Sequence, residues 1–519
     1  MEISLDKSLY GKVKEHSWEA ITYIIKYFGF NSTNIIYAHT RHNAEKWAKK
    51  IANNLDNEYK IDSEINELAE YLSKDIHPNY SLIRCLKHRV GFHHGCMPEI
   101  ARNEVEYLFR HDKIKNLVCT PTLLEGVNLP AEKIFIFNPK KNRDDLEDFE
   151  FGNLIGRVGR LSYKPYGSVF CIEIEEDSWG ENKFESDYLK ELEPATVKAL
   201  VKEKDILFDN LNKKTIEILQ NKSIKRAVPY TISLLRHKFL RSEEELRAYL
   251  LKNHYTAEEI DSLIYNLSNT MKNISIPKEI LQLNPTIDPL LQDELYSSIK
   301  KNIDEWIITN MNVQQRIKNE KNLPFNEKDF YGQFEEISLK LNNIFWIEDE
   351  INYKVKSRSD RLTIDACIYY AVTWLREHSY KYFVDNELKN ANNYRSEDEI
   401  DKIIRTVMIR INDGVRFYLV KYFKLWSDIL TYIISEENKN EAELLRCLSL
   451  PLMLEMGSYK QKTLDLMEEG ISRSIAIEIS KLISSEYEGS VTEWLQNNSS
   501  SLSSLSNLFI RNLKRQHLI

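Results

Sequence analysis

The stretch VCTPTLLEGVNLPAEKIFI, Val118–Ile136, joins two apolar runs through a polar segment marked by glycine and proline. The runs, KNLVCT (Lys115–Thr120) and KIFIFN (Lys133–Asn138), have the length of buried strands. Three runs of the same kind flank them: TNIIYAH (Thr33–His39), RVGFHH (Arg89–His94) and GSVFCIE (Gly167–Glu173). Helical periods lie between. One runs from His42 to Leu55 with Ala44, Trp47, Ala48 and Ile51 on one face. Another opens at Pro98, a first-turn position that proline tolerates, with Ile100, Val105 and Leu108 on its buried side. Strands alternating with helices predict an α/β domain, a parallel sheet with helices on both faces.

In such sheets ligands bind at the carboxyl edge of the strands. TPT places Thr120 and Thr122 directly after one strand, AHTR places Thr40 and Arg41 after another, and FHHG places His94 after a third. Hydroxyls, backbone N–H groups and a guanidinium there suit phosphate oxygens, contacts that fix register without reading sequence. Helix capping by the threonines and a solvated Arg41 are the plainer alternatives. His93 and His94 do not read as a metal pair, because adjacent strand residues point to opposite faces. FGNLIGRVGRLSY (Phe151–Tyr163) sets Arg157 and Arg160 three residues apart, neighbours on one face if the segment is helical, with Gly156 and Gly159 keeping the backbone lean. Two permanently charged forks so placed suit a polyphosphate; surface ion pairing is the bland reading.

Four segments, NIIYAHTRHNAEKWA, VGFHHGCMPEIARNEVEYLFR, VCTPTLLEGVNLPAEKIFI and NLIGRVGR, occur in this order. Together they resemble the second RecA-like domain of superfamily 2 helicases, above all the Ski2-like branch, over roughly the first 180 residues. The resemblance implies that Arg157 and Arg160 face ATP and Mg²⁺ held by a first RecA-like domain. It further implies that Gly126, Asn128, Asn153 and Gly156 lie near the nucleotide. Thr40, Arg41, His94, Thr120 and Thr122 would then grip a DNA or RNA single strand. Asn153 stands where the branch usually has glutamine, one methylene longer. Neither GxxxxGK[ST] nor a DExx motif behind such a loop occurs; WIEDE (Trp346–Glu350) lies far downstream and reads as a solvated face.

The chain has 519 residues, 42% hydrophobic and 29% charged, with net charge −8, too long for one core and globular in composition. Its acidity does not advertise a nucleic-acid binder, yet a local basic channel would suffice. Six scattered cysteines include no CxxC pair, so no zinc site is expected. No apolar run of about 18 residues and no leader are found, so a cytoplasmic protein without membrane contact is expected.

Residues 1–30 read as a helical lead-in, 31–185 as the second RecA-like domain, 186–285 as a winged-helix-like domain and 286–519 as a helical bundle. Ser242 with Glu245, and Thr256 with Glu259, form capping-box patterns. Amphipathic runs recur at Leu290–Met311, Ile364–Glu377, Glu399–Tyr432 and Glu441–Glu455. The basic stretch Lys222–Arg241 suits phosphates or a solvated face equally. Leu450–Ile483 reads as a helical hairpin with turns at Gly457 and Gly470; Gly470, Ser472 and Arg473 suit a backbone-phosphate contact or a plain glycine cap. Asn497–Asn507, rich in serine, reads as a loose connection. The helix-rich ending is weakly similar to antiphage helicases of the Hachiman type. The expected function is the C-terminal part of an ATP-dependent helicase or translocase, inactive as an ATPase without a Walker-A-bearing domain supplied in cis or in trans. A non-catalytic nucleic-acid-binding or scaffolding protein is the alternative.

Overall fold

The computed structural model describes residues 18–55, 62–121, 129, 131–137, 139–141, 144–159, 166–173, 179–185, 193–221, 223–317, 323–353, 355, 361–389, 396–436, 441–498 and 500–519. The chain forms two compact units that do not follow chain order. The first joins Met1–Leu192 with Ser379–Met408 and Glu469–Ile519; the second joins Glu193–His378 with Ile409–Glu468. The contiguous division expected at 186–285 and 286–519 differs from this, because two later segments complete the first unit.

In the first unit, α1 (Trp18–Phe28) leads to β1 (Asn34–Tyr37), α2 (Arg41–Asn54), α3 (Ser63–Asp75), α4 (Ser81–Lys87), β2 (Val90–His93), α5 (Glu99–Arg110), β3 (Asn116–Cys119), β4 (Lys133–Ile136), α6 (Asp148–Ile155) and β5 (Ser168–Cys171). All five expected strands form, each four residues long, and make one parallel sheet in the order β2-β3-β1-β4-β5. The register is level: Asn34 lies opposite Asn116 and Lys133, Val90 opposite Asn116, and Lys133 opposite Ser168. Ile35, Ile36, Phe92, Leu117, Val118, Ile134 and Phe135 are all fully buried, as a sheet covered on both faces requires. At its amino edge the Asn34 side-chain amide donates to Gly29 O and Asn116 Oδ1, both at 2.9 Å, and accepts from Ser32 Oγ at 2.9 Å. Those buried polar groups are thereby satisfied.

The later segments are held by charge. On the helix Glu397–Ile409, Glu397, Asp401 and Arg405 recur at a spacing of four and line one face. Arg84 reaches Glu397 at 2.6 Å, Lys49 reaches Asp401 at 2.7 Å, and Arg405 pairs with Glu45. Burial pulls the Lys49 ammonium down, but Asp401 and Asp398 outweigh it and hold its pKa above the ordinary value. On the helix Asn507–Arg515, Arg511 (2.9 Å), Asn512 (2.9 Å) and Arg515 (2.6 Å) all donate to Glu104, which is fully buried on α5. Arg515 also lies 3.2 Å over the Tyr107 ring. The serine-rich stretch is not loose among its described residues. Ser501–Ser504 forms a 3-10 turn that buries Leu502, and Ser506 caps the final helix.

Among its described residues the second unit is helical. Between Glu193 and Pro285 no described residue forms a strand, so the wing expected of a winged-helix fold is not seen there. Leu200, Leu207, Val228, Ile232, Leu246, Leu250 and Leu263 build one core. The basic stretch divides between packing at Arg236 and a solvated face at Lys225 and Arg241. Arg236 is fully buried, bonded to Asp288 at 2.6 Å and to the carbonyls of Leu211 and Lys213; Lys225 pairs with Glu203 and Arg241 with Glu245. Lys222 lies outside the described residues.

Thr256 and Glu259 form the full capping box, and Ser242 caps its helix. The run expected at Leu290–Met311 ends earlier, at Lys301, and that at Glu441–Glu455 breaks at Ser449. WIEDE is not a solvated face. Ile347 and Glu350 are buried, and Glu350 accepts from Tyr230 (3.3 Å), Lys421 (3.2 Å) and Tyr422. Trp426, fully buried, donates to Trp306 O at 3.1 Å.

Removing a donor from a buried carboxylate leaves part of its desolvation uncompensated, at about 1.5–3 kcal/mol for a hydrogen bond to a charged group. Arg515→Ala is therefore expected to destabilise the first unit by about that amount, while Lys514→Ala leaves it unchanged. Thermal melting followed by tryptophan fluorescence checks this.

Candidate functional site: two edges of one sheet

The carboxyl edge carries the expected strand-gripping residues. Thr40 is the N-cap of α2, its hydroxyl accepting from Asn43 N at 3.2 Å, and Arg41, half-buried, opens that helix. Thr120 sits beside them, its N–H donating to His93 O at 3.2 Å, with its side chain buried. His93 and His94 point to opposite faces, as expected. His93 Nε2 meets Glu106 of α5 at 2.8 Å, and His94 Nε2 meets Glu45 of α2 at 3.1 Å. Both are buried, so His94, expected to touch phosphate, instead packs beneath the edge. Thr40 and Arg41 remain near the surface. Thr122, Gly126 and Asn128 lie outside the described residues.

Burial lowers the His93 pKa from its ordinary value, against the opposing pull of Glu106. The native ring therefore resists a proton that the unfolded chain accepts below about pH 6.5. Stability of the first unit is expected to fall as pH drops through that value, and His93→Gln should flatten the slope. Melting temperatures at pH 7.5 and 5.5 provide the check.

The backbone of the turn that carries Arg157 lies at the opposite, amino edge, although the Arg157 charge acts back on Cys119 at the carboxyl end of β3. α6 stops at Ile155, and Gly156 is its C-cap. Arg157 therefore sits in the turn that follows, not on a helix with Arg160 as the spacing predicted; Arg160 itself lies outside the described residues. Val158 forms a parallel bridge with Ala131, two residues before β4. Ala131 N donates to Arg157 O at 3.2 Å, and Gly159 N to Ala131 O at 3.3 Å.

The turn is made by glycines. Gly159 has φ +65, and a Cβ on it would lie 2.8 Å from Gly167 N. A Cβ on Gly167 would lie 1.8 Å from Val158 Cγ1. Asn153 and Gly156 are exposed, whereas Arg157 is half-buried. Its charge reaches Cys119, where it opposes the burial that pushes the thiol up to about 12. Gly167→Ala is expected to force Val158 aside and destabilise the first unit by about 1–3 kcal/mol, the range for overpacking, as read from urea unfolding.

With strands rising about 3.3 Å per residue, the two edges stand roughly 15 Å apart. Residues 120–131 connect them: they leave the carboxyl edge at Thr120 and reach the amino edge at Ala131. Sequence reading missed the interior charges Glu45, Glu104 and Asp401. Their signal was present as Glu45 and Lys49, set four apart beside the apolar face of α2.

Among the described residues, no group of three or more His, Cys, Asp and Glu is placed to hold a metal ion. No helix among them is long and apolar enough to cross a membrane. Residues 19–162 match the helicase conserved C-terminal domain. The chain is 26% identical over 352 residues to the ATP-dependent DNA helicase Hel308 of Methanococcus vannielii, covering 66% of this chain and 42% of that protein. It is 31% identical over 184 residues to Hel308 of Thermoplasma volcanium, covering 34% of this chain and 25% of that one. It is 29% identical over 114 residues to anti-bacteriophage protein B of Escherichia coli, covering 22% and 16%. The chain thus spans less than half the length of these relatives. The five-stranded parallel sheet lies largely within the residues that match the helicase conserved C-terminal domain, and the chain is similar to the Hel308 helicases there and in the mainly helical region that follows.

Proposed function

We propose that the chain works as the C-terminal part of an ATP-dependent helicase or translocase acting on a nucleic-acid strand. One observation supports this above the rest: residues 19–162, which match the helicase conserved C-terminal domain, fold around a parallel sheet with Thr40 and Arg41 at its carboxyl edge and the arginine turn bridged to Ala131 at its amino edge. Arg157 and Arg160 neutralise charge developing on a γ-phosphate presented by a Walker-A-bearing domain, in cis or in trans. The open glycine turn, with Asn153 and Gly156 exposed beside it, suits the approach of such a polyanion. ATP with Mg²⁺, when bound, supplies the phosphoryl transfer.

Thr40 and Arg41, with Thr122 of the connecting segment, hold backbone phosphates and set the strand's position without reading its bases, while Thr120 is buried beneath them. DNA is the strand we propose, on the similarity to the Hel308 proteins named for it. A part in defence against phage stands beside the similarity to anti-bacteriophage protein B over 22% of the chain.

The chain alone is expected not to hydrolyse ATP. Joined to a GxxxxGK[ST]-bearing RecA-like domain it should do so, and Arg160→Ala should lower kcat by at least about 100-fold, a floor below the range for arginine fingers. A phosphate-release assay stimulated by single-stranded DNA measures both. An unchanged kcat in the variant sinks the arginine assignment.

A further inference from the structure

Within the basic stretch, Lys225 pairs with Glu203, Arg236 with Asp288 and Arg241 with Glu245, whereas Arg226 is bonded to tyrosines instead. Arg226 is half-buried and stands immediately before the helix Ala227–Arg241. Its Nη2 donates to the hydroxyls of Tyr230 at 3.2 Å and Tyr418 at 3.4 Å. Its Cζ lies 5.3 Å from the Tyr353 ring centroid and 5.7 Å from that of Tyr230. Its Nε is buried and meets no acceptor among the described residues. The Tyr230 hydroxyl donates onward to Glu350 at 3.3 Å, but that carboxylate also takes Lys421 at 3.2 Å and Tyr422. The hydrogen-bonded groups thus hold two cations, Arg226 and Lys421, against one carboxylate. The charge of Asp413 reaches Tyr418, yet no carboxylate among the described residues bonds Arg226 itself.

A guanidinium bonded to neutral hydroxyls has lost hydration without an opposite charge to replace it. The Ala227–Arg241 helix adds its positive end at the same place. Three tyrosines from separate segments hold the fork in position, so little ordering cost remains for a ligand. The Tyr418 hydroxyl accepts from Arg226, and its own proton has no acceptor among the described residues. A charged fork and a hydroxyl donor side by side suit the oxygens of a phosphate. We propose that Arg226 and Tyr418, framed by Tyr230 and Tyr353, bind a backbone phosphate of the nucleic-acid strand. This rests on the strand-binding role given to the protein above, and it adds a contact in the second unit. A strand supplies phosphates whatever its bases, so the site contributes affinity and salt dependence and no sequence preference.

The test uses the full chain and single-stranded oligothymidylate, with binding followed by fluorescence anisotropy across a salt series. Losing one phosphate contact lowers the slope of log K against log[salt] by about 0.7 for a single strand. Arg226→Gln is expected to lose that much slope and about tenfold in affinity, Arg226→Lys to keep the slope, and Arg241→Ala to match wild type. Independently of any variant, the oligonucleotide should protect Arg226 of the wild-type chain from phenylglyoxal, as read by mass spectrometry of its peptide. A peptide nucleic acid of the same sequence, which has no phosphates, and inorganic phosphate at equal phosphate concentration should both leave Arg226 reactive. Equal protection by inorganic phosphate assigns the site to a free anion and overturns the strand assignment; protection by the peptide nucleic acid overturns the phosphate contact. An unchanged slope in Arg226→Gln, or a reactive Arg226 in the DNA complex, overturns the site. If Arg41→Ala still lowers the slope while Arg226→Gln does not, the site fails alone. If the wild-type chain binds no strand, the strand-binding reading fails with it.

Discussion

The parallel bridge between Ala131 and Val158 is the constraint on which the arrangement of this unit depends. It closes through two backbone hydrogen bonds, from Ala131 N to Arg157 O and from Gly159 N to Ala131 O. Its register is set by the strand that follows, since Ala131 stands two residues before Lys133 and the level start of the sheet. The turn after α6 is thereby fixed to the sheet's amino edge and cannot wander like an ordinary surface loop. A left-handed glycine and a second glycine without room for a methyl make the approach possible. Removing either would separate the arginine turn from the segment that reaches back to Thr120.

A second constraint is the burial of charge. Glu45, Glu104 and Asp401 are inside the first unit, and Arg236 with Asp288 is inside the second. Each is satisfied by more than one partner, as a desolvated ion must be. Such pairs add little net stability compared with apolar residues of similar size, but they discriminate strongly against wrong partners. Glu104 accepts three donors from one short helix, and Lys49 meets two aspartates from another. Charge matching therefore accounts for how segments hundreds of residues away find the sheet.

The sheet was readable because each strand is a short apolar run bounded by turns, and all five runs formed where the sequence placed them. The glycines at 457 and 470 were readable for the same local reason, each adopting the positive φ that ends a helix. Two kinds of feature were not readable. One was the departure from local rules: Arg157 at a spacing of three from Arg160 looks helical, yet Gly156 ends the helix first. The other was long-range closure. Nothing local in SSSLSSLSN or WIEDE announces that Leu502 and Glu350 will be buried, and the partners of Glu350, Tyr230, Lys421 and Tyr422, lie far off along the chain. His94 belongs to this second class. Its position at a strand end fits a phosphate contact, and only the fold reveals Glu45 waiting for it.

The clamp on Glu104 has a consequence for how the protein is made. Its donors Arg511, Asn512 and Arg515 lie more than 400 residues after it in sequence. During synthesis the sheet and α5 emerge long before these cations exist, so that carboxylate lacks its three donors while the intervening residues are made. The N-terminal segment cannot mature as an autonomous block, and its last stage of assembly must await the arrival of residues 507–515.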